Sequence, residues 1–122
     1  MSEPRSPDVD AALLMLRERF RSASGPTLAT FSQIASRLAD TPASHHDLAE
    51  LQRELHRVRG TAGSYGYMDV SRLAETLETR VVRWTADAAL DRSQRSAIVE
   101  QFVVSLRRCF ERPAATGEQP GS

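Results

Sequence analysis

The chain has 122 residues, a length suited to one domain around one hydrophobic core, and its 16 basic residues balance 16 acidic ones. That balance leaves no net field to draw the chain toward nucleic acid or anionic lipid. Every basic residue is Arg, which we read as coding bias, and the single cysteine, Cys109, excludes an internal disulfide. Cys109 falls in an apolar helical pattern and is expected to be a buried spectator thiol. Met1-Ser2-Glu3-Pro4-Arg5 lacks the apolar core of a secretory signal, and no apolar run approaches a membrane span. A cytoplasmic protein without membrane attachment is expected.

Residues 1–7 hold two prolines among small polar residues, and residues 113–122 form a Pro, Gly, Ala and Gln tail. Both ends are expected to be disordered, flanking a domain over residues 8–112. The domain reads as helices parted by short breakers, with no strand alternation. The first helix is expected from about Asp8 to Ser22, with Val9, Leu13, Leu16 and Phe20 along one side. Gly25-Pro26 follows: Pro26 either opens a second helix in its first turn or kinks one long helix. The next apolar stripe, Leu28, Phe31, Ile34 and Leu38, runs to Asp40-Thr41-Pro42.

The third helix is the clearest. Leu48, Leu51, Leu55, Val58, Ala62 and Tyr65 alternate steps of three and four, which keeps one stripe against a partner, and Gly66 supplies a C-terminal stop. A fourth helix near Asp69 to Asp87 places Val70, Leu73, Leu77, Val81 and Trp84 in similar register. A fifth near Asp91 to Glu111 turns Ile98, Phe102 and Leu106 inward, with Asp91 and Gln94 resembling a capping box at its start. Short connections favour antiparallel neighbours. The predicted fold is therefore all-α, an antiparallel up-down four-helix bundle with an additional N-terminal helix or helix extension.

The chemistry is concentrated in Leu55-His56-Arg57-Val58-Arg59-Gly60-Thr61-Ala62-Gly63-Ser64-Tyr65-Gly66. At about 100° per residue, His56 lies roughly 130° from the centre of the core stripe and projects from the bundle flank. Gln52, Gly60 and Gly63 share its azimuth, and Arg59 lies between that face and the core. Each glycine costs about 1 kcal/mol relative to Ala in an exposed helix interior, so two of them need a reason. They either leave a bare surface on which another protein approaches the ring, or they let two helices pack closely. The neighbouring His and Arg favour the first. His45 and His46, being adjacent, cannot share a helix face and are expected to be a solvated cap rather than metal ligands.

His56, Arg59-Gly60, Gly63, Tyr65-Gly66 and then Leu77-Glu78 together resemble the signature of the histidine phosphotransfer (HPt) family, densest from Leu51 to Glu78. The form Gly-Thr-Ala-Gly with Tyr-Gly is most similar to the phosphotransfer domain of chemotaxis-type histidine kinases. The resemblance implies that Nε2 of His56 accepts a phosphoryl group from a kinase or a receiver aspartate. It implies that Arg59, where the family usually has Lys, stabilises phosphoryl charge. It implies that Glu78 orients the ring through Nδ1, with Glu75 as the second choice. Gln52, Gly60, Gly63 and Tyr67 are the expected partner-docking residues, while Arg53 and Arg57 are surface charges or partner contacts, and Trp84 and Tyr65 serve packing. The module would be a carrier rather than an enzyme, with no metal or cofactor of its own and Mg²⁺ in the partner domain. It would act as a monomer with a kinase or receiver and without nucleic acid.

Two rivals remain at this stage. Gly66-Tyr67-Met68-Asp69 followed by residues 70–79 could form a helix-turn-helix, but Asp69, Glu75 and Glu78 would then face the phosphates. An adaptor that binds a kinase or receiver without accepting phosphate keeps the fold but leaves the His-x-x-Arg-Gly core unexplained.

Overall fold

The structure is a computed structural model that describes residues 7–111; of the ends expected to be disordered, residues 1–6 and 113–122 lie outside the described residues, while Pro7 belongs to the first helix. Helix α1 spans Pro7–Ser22, α2 Ser24–Asp40, α3 His45–Ser64, α4 Met68–Ala86 and α5 Arg95–Glu111, with a short 3₁₀ turn, Arg92–Gln94, before the last. Among the described residues there is no strand. Pro7 opens α1, the position where a missing N–H costs nothing. The question posed by Gly25-Pro26 is answered two residues earlier. Ala23 alone separates α1 from α2, its N–H still donating to the carbonyls of Arg19 (3.0 Å) and Phe20 (3.2 Å). Gly25 and Pro26 then occupy the first turn of α2, whose amide groups have no helical acceptor in any case.

Four helices close a ring, α2 against α3, α3 against α4, α4 against α5 and α5 against α2. Their directions follow from contacts at one end. Arg37 in the last turn of α2 pairs with Asp47 in the first turn of α3. Ser96 at the start of α5 donates to the Ala35 carbonyl, and Arg95 reaches both Pro42 and the end of α4. The ends of α2 and α4 therefore meet the starts of α3 and α5, the up-down antiparallel arrangement that short loops dictate. The interior is filled by the residues the periodicity selects, with Phe31 and Phe102 edge to face at 5.0 Å near its centre and Cys109 buried at its margin.

The last turns of helix α1 fasten it to the bundle. Phe20 stacks against Tyr65, Tyr67 and Phe110 at 5.6, 5.1 and 5.5 Å. Arg17 donates from Nε to the Tyr65 carbonyl (3.1 Å), placing a cation at the negative end of α3. The stop at Gly66 is explained twice: its φ of +85° favours glycine, and a Cβ there would lie 2.9 Å from the Arg17 guanidinium. The expected stripe of α1 is thus only half used: Val9 remains exposed, and Leu16 is partly exposed at the edge of a groove lined by Val58, Thr61 and Phe110.

The capping box expected at Asp91 and Gln94 does not form. Asp91 adopts a left-handed backbone (φ 56°), and its carboxylate accepts instead from Arg80 Nε (2.9 Å) and Trp84 Nε1 (2.8 Å) of α4. The Arg80 hydrogen bond and then that of Trp84 hold the Asp91 carboxyl below its ordinary value. A carboxyl whose pKa is depressed on folding stabilises the protein above its unfolded value, about pH 3.9, and loses that contribution as pH falls through the folded value. Asp91→Asn, which tolerates the left-handed backbone, is expected to flatten the acid limb of the stability curve below roughly pH 4. Urea titrations at several pH values test this, and an unchanged acid slope would count against the assignment.

Arg95 takes the place of a cap at this loop. Arg95 is fully buried, with 0% of its surface exposed. Its guanidinium donates to the carbonyls of Pro42 (2.6 Å), Asp87 (2.9 Å), Leu90 (3.0 Å), Ala88 (3.3 Å) and Trp84 (3.5 Å), and it lies 5.3 Å from the centre of the Trp84 ring. One side chain thereby satisfies the C-terminal carbonyls of α4 and ties the α2–α3 and α4–α5 connections together. Burial, reinforced by Arg92, lowers the pKa of this guanidinium.

Candidate functional site

Helices α3 and α4 lie antiparallel with His56 set against Glu78 and Gly63 against Ser71. Leu55 and Val58 fill the core side of α3, so the geometry of the helix pushes His56 outward; 68% of its side chain is exposed. Nδ1 lies 3.2 Å from Glu78 Oε2, and Arg59 Nη1 lies 3.1 Å from the other oxygen, Oε1. A single carboxylate, only 13% exposed, therefore bridges ring and guanidinium. With the ring proton on Nδ1, that nitrogen donates to Glu78 and the Nε2 lone pair faces solvent. Of the two candidate glutamates, Glu78 meets the ring, while Glu75 is exposed on the outer side of α4.

Sequence reasoning missed Ser71. Its Oγ donates to the Arg59 carbonyl at 3.0 Å, fastening α4 to the turn of α3 that carries the site. Seven residues before Glu78, it lies on nearly the same helix face, and that spacing was the available signal.

The two glycines have different surroundings. A Cβ on Gly60 would meet nothing within 4 Å, whereas one on Gly63 would contact Ser71 Oγ at 3.6 Å. Gly60 is bare surface beside the imidazole, and Gly63 faces the neighbouring helix, where a Cβ would make ordinary van der Waals contact with Ser71. Gly60→Ala is accordingly expected to raise stability by about 0.5–1 kcal/mol. If the bare backbone serves partner approach, the same change slows transfer from a partner protein. Chemical denaturation and transfer kinetics on the one variant measure both, and a stabilised variant with wild-type transfer would leave Gly60 no docking role.

Gln52, one turn before His56, is half-buried on the same flank. Tyr67 departs from expectation. It is 7% exposed, packed between Phe20 and Phe110, and its hydroxyl donates to the Arg17 carbonyl (3.3 Å). It cannot edge a docking surface, because the docked end of α1 covers it; burial also pushes its phenol pKa up. Arg57 pairs with Glu54 on the surface (2.9 Å), and Arg53 is exposed. His45 and His46 are exposed beside the N-cap Ser44, which accepts from the Asp47 N–H (3.2 Å). His46, Asp47 and Glu50 bring possible ligand atoms within 4.8 Å of one another, but Arg37 already pairs with both carboxylates at 2.8 and 2.6 Å. That cluster is an ion-pair network joining α2 to α3.

The family model for the Hpt domain matches residues 15–112. The chain belongs to the Hpt domain family. No curated protein and no solved structure gives a significant match. As an Hpt domain the protein is a histidine phosphotransfer module of phosphorelay signalling, a phosphocarrier whose family partners are kinases or receivers. The match begins inside α1, so the exposed first turns of that helix precede it. Among the described residues no helix of this Hpt domain is long and apolar enough to cross a membrane.

Proposed function

We propose that His56 is the phosphoryl acceptor, receiving the group from a kinase or a receiver aspartate and passing it to a receiver domain. The observation that carries this reading is the outward imidazole whose Nδ1 meets a largely buried carboxylate, leaving Nε2 toward solvent. The Nε2 lone pair attacks phosphorus, a P–N bond forms, and the P–O bond breaks with its electron pair leaving on the donor carboxylate or on ADP. The ring is then an Nε2-phosphorylated imidazolium whose Nδ1–H is stabilised by Glu78, and reversal of these steps hands the group on. Arg59, now held by Glu78, is within one turn of the phosphoryl oxygens and supplies positive charge to them.

The bundle contributes positioning, and the partner contributes catalysis and the Mg²⁺. The Gly-Thr-Ala-Gly and Tyr-Gly pattern, together with a glutamate on the ring, supports a chemotaxis-type phosphotransfer domain in particular. The protein works in the cytoplasm without nucleic acid.

Incubation with a panel of phosphorylated receivers, and with kinases supplied with ATP, tests the reading. Label is expected on the protein in an acid-labile, alkali-stable linkage, the behaviour of a phosphoramidate. Failure of every donor would leave an adaptor in its place. Glu78→Ala is expected to slow transfer roughly ten-fold or more, as loss of an orienting carboxylate does for metal-bound histidines, while the circular dichroism spectrum is kept. Unchanged kinetics would remove Glu78 from the mechanism.

A further inference from the structure

Helix α1 carries apolar residues on a face that the bundle does not cover. Leu13, Arg17 and Phe20, within about 60° of one another, form its partly buried side, and Arg17 and Phe20 make its contacts with the bundle. Leu14 and Met15, at about 100° and 200° from Leu13, point away from that side and are 60% and 59% exposed. They stand at the middle of Pro7–Ser22, with residues 7–13 before the pair and residues 16–22 after it. The charges divide about the same midpoint. Asp8 and Asp10 lie before it, Arg19 and Arg21 beyond it, and all four flank the exposed face. Asp8 and Arg19 lie along one edge, at about 220° and 240°, and Asp10 and Arg21 along the other, at about 60° and 80°. Asp8, Asp10 and Leu14 precede the region that the family match covers.

We infer that this face of α1 pairs with the same face of a second copy of the chain, the two helices running antiparallel about a two-fold axis level with the Leu14–Met15 midpoint. Such an axis returns each edge of the face to itself and inverts height along the helix. Leu14 then packs on Leu14 of the second copy, and Met15 on its Met15. Asp8 meets Arg19 of the second copy and Asp10 meets its Arg21, each within about 3 Å of the same height. Sliding the helices brings one of these ion pairs closer only by parting the other, so the register is set. A parallel pair would instead place Asp8 and Asp10 against their own counterparts. Glu18, across from Ala11 of the second copy, leans toward Arg21 (3.8 Å) and confines the dry contact to the central residues. The three arginines of α1 are balanced by Asp8, Asp10 and Glu18, so the helix has no net attraction for an anionic membrane. At about 24 Å long, it buries less than the roughly 800 Å² per partner of a standard interface, and the dimer is expected to be half formed near about 0.1 mM protein. The dimer replaces the monomer expected from the sequence and leaves the phosphotransfer reading untouched, because α1 carries none of its residues.

Sedimentation velocity of the full chain from about 10 µM to about 1 mM tests the inference. Wild type is expected to pass from monomer to dimer across that range, and Leu14→Glu to stay monomeric throughout. Charge exchange tests the pairing itself. Asp8→Arg with Asp10→Arg in one protein, and Arg19→Asp with Arg21→Asp in another, are each expected to lose the dimer, because like charges then face each other. An equimolar mixture of the two is expected to recover it as a heterodimer, about ten-fold or more tighter than either protein with itself. Circular dichroism shows whether each protein keeps its helices; should one charge variant lose helix alone, recovery in the mixture still decides, since only a paired α1 restores it. A wild type that is monomeric at about 1 mM, a Leu14→Glu that dimerises like wild type, or a mixture that stays monomeric would each overturn the inference. A monomeric wild type that sediments with phosphatidylglycerol vesicles would give the face to a membrane instead.

Discussion

His56→Gln is expected to abolish phosphoryl acceptance from every donor while leaving the fold intact. Glutamine approximates the reach and polarity of the imidazole but offers an amide nitrogen whose lone pair is delocalised, so it cannot attack phosphorus. The remaining histidines cannot substitute. His45 and His46 lie ten or more residues earlier on α3, about 15 Å along the axis, and in another helix turn beside the Arg37 network. Because the His56 side chain is largely exposed and its neighbours fill the core, the stability change is expected within about 0.5 kcal/mol. Label transfer and a denaturation curve on the same preparation check both halves. Label that survives the substitution would show that another residue is the acceptor.

Arg95→Met is expected to produce the largest loss of stability of any single substitution outside the apolar core, about 2–4 kcal/mol. Methionine fills much of the volume but donates nothing, so the carbonyls of Pro42, Trp84, Asp87, Ala88 and Leu90 lose a shared donor. Those nearest solvent regain water, and the buried guanidinium no longer has to be desolvated, which keeps the loss below the sum of the separate bonds. For a domain with about 5–15 kcal/mol in hand, that brings the folded state close to the margin. Arg95→Lys keeps the charge with fewer, less spread donors and is expected to fall between the two. Urea midpoints for the three proteins decide the matter, and a methionine variant within 0.5 kcal/mol of wild type would show that water replaces the guanidinium without cost. Phosphotransfer at low temperature is expected to survive, since His56 lies in the middle of α3, away from this end.

What could be read in advance depended on whether a residue's role leaves a periodic trace. The outward azimuth of His56 follows from Leu51, Leu55, Val58 and Ala62, because a core stripe fixes every other direction on the same helix. The choice of Glu78 over Glu75 came from the family resemblance, and the contact with Nδ1 agrees with it. Arg95 left no trace, since an arginine in an amphipathic helix reads as solvent-facing and only the meeting of five backbone carbonyls makes it an interior residue. The same meeting explains the failed cap: Asp91 is followed by the right residue at the right spacing, but Arg80 and Trp84 claim its carboxylate. Tyr67 was misplaced because nothing in its own helix shows that Phe20 of α1 folds over it. The break at Ala23 was equally hidden, alanine being the strongest helix former.

His56 belongs to an unbroken run of helix, with turns of hydrogen-bonded backbone above and below it. If the ring is loaded as proposed, the added charge sits at one point of that helix surface. A downstream protein would then distinguish the loaded from the empty form by that local potential. Such recognition weakens as ionic strength rises, and the message is only as durable as one nitrogen–phosphorus bond.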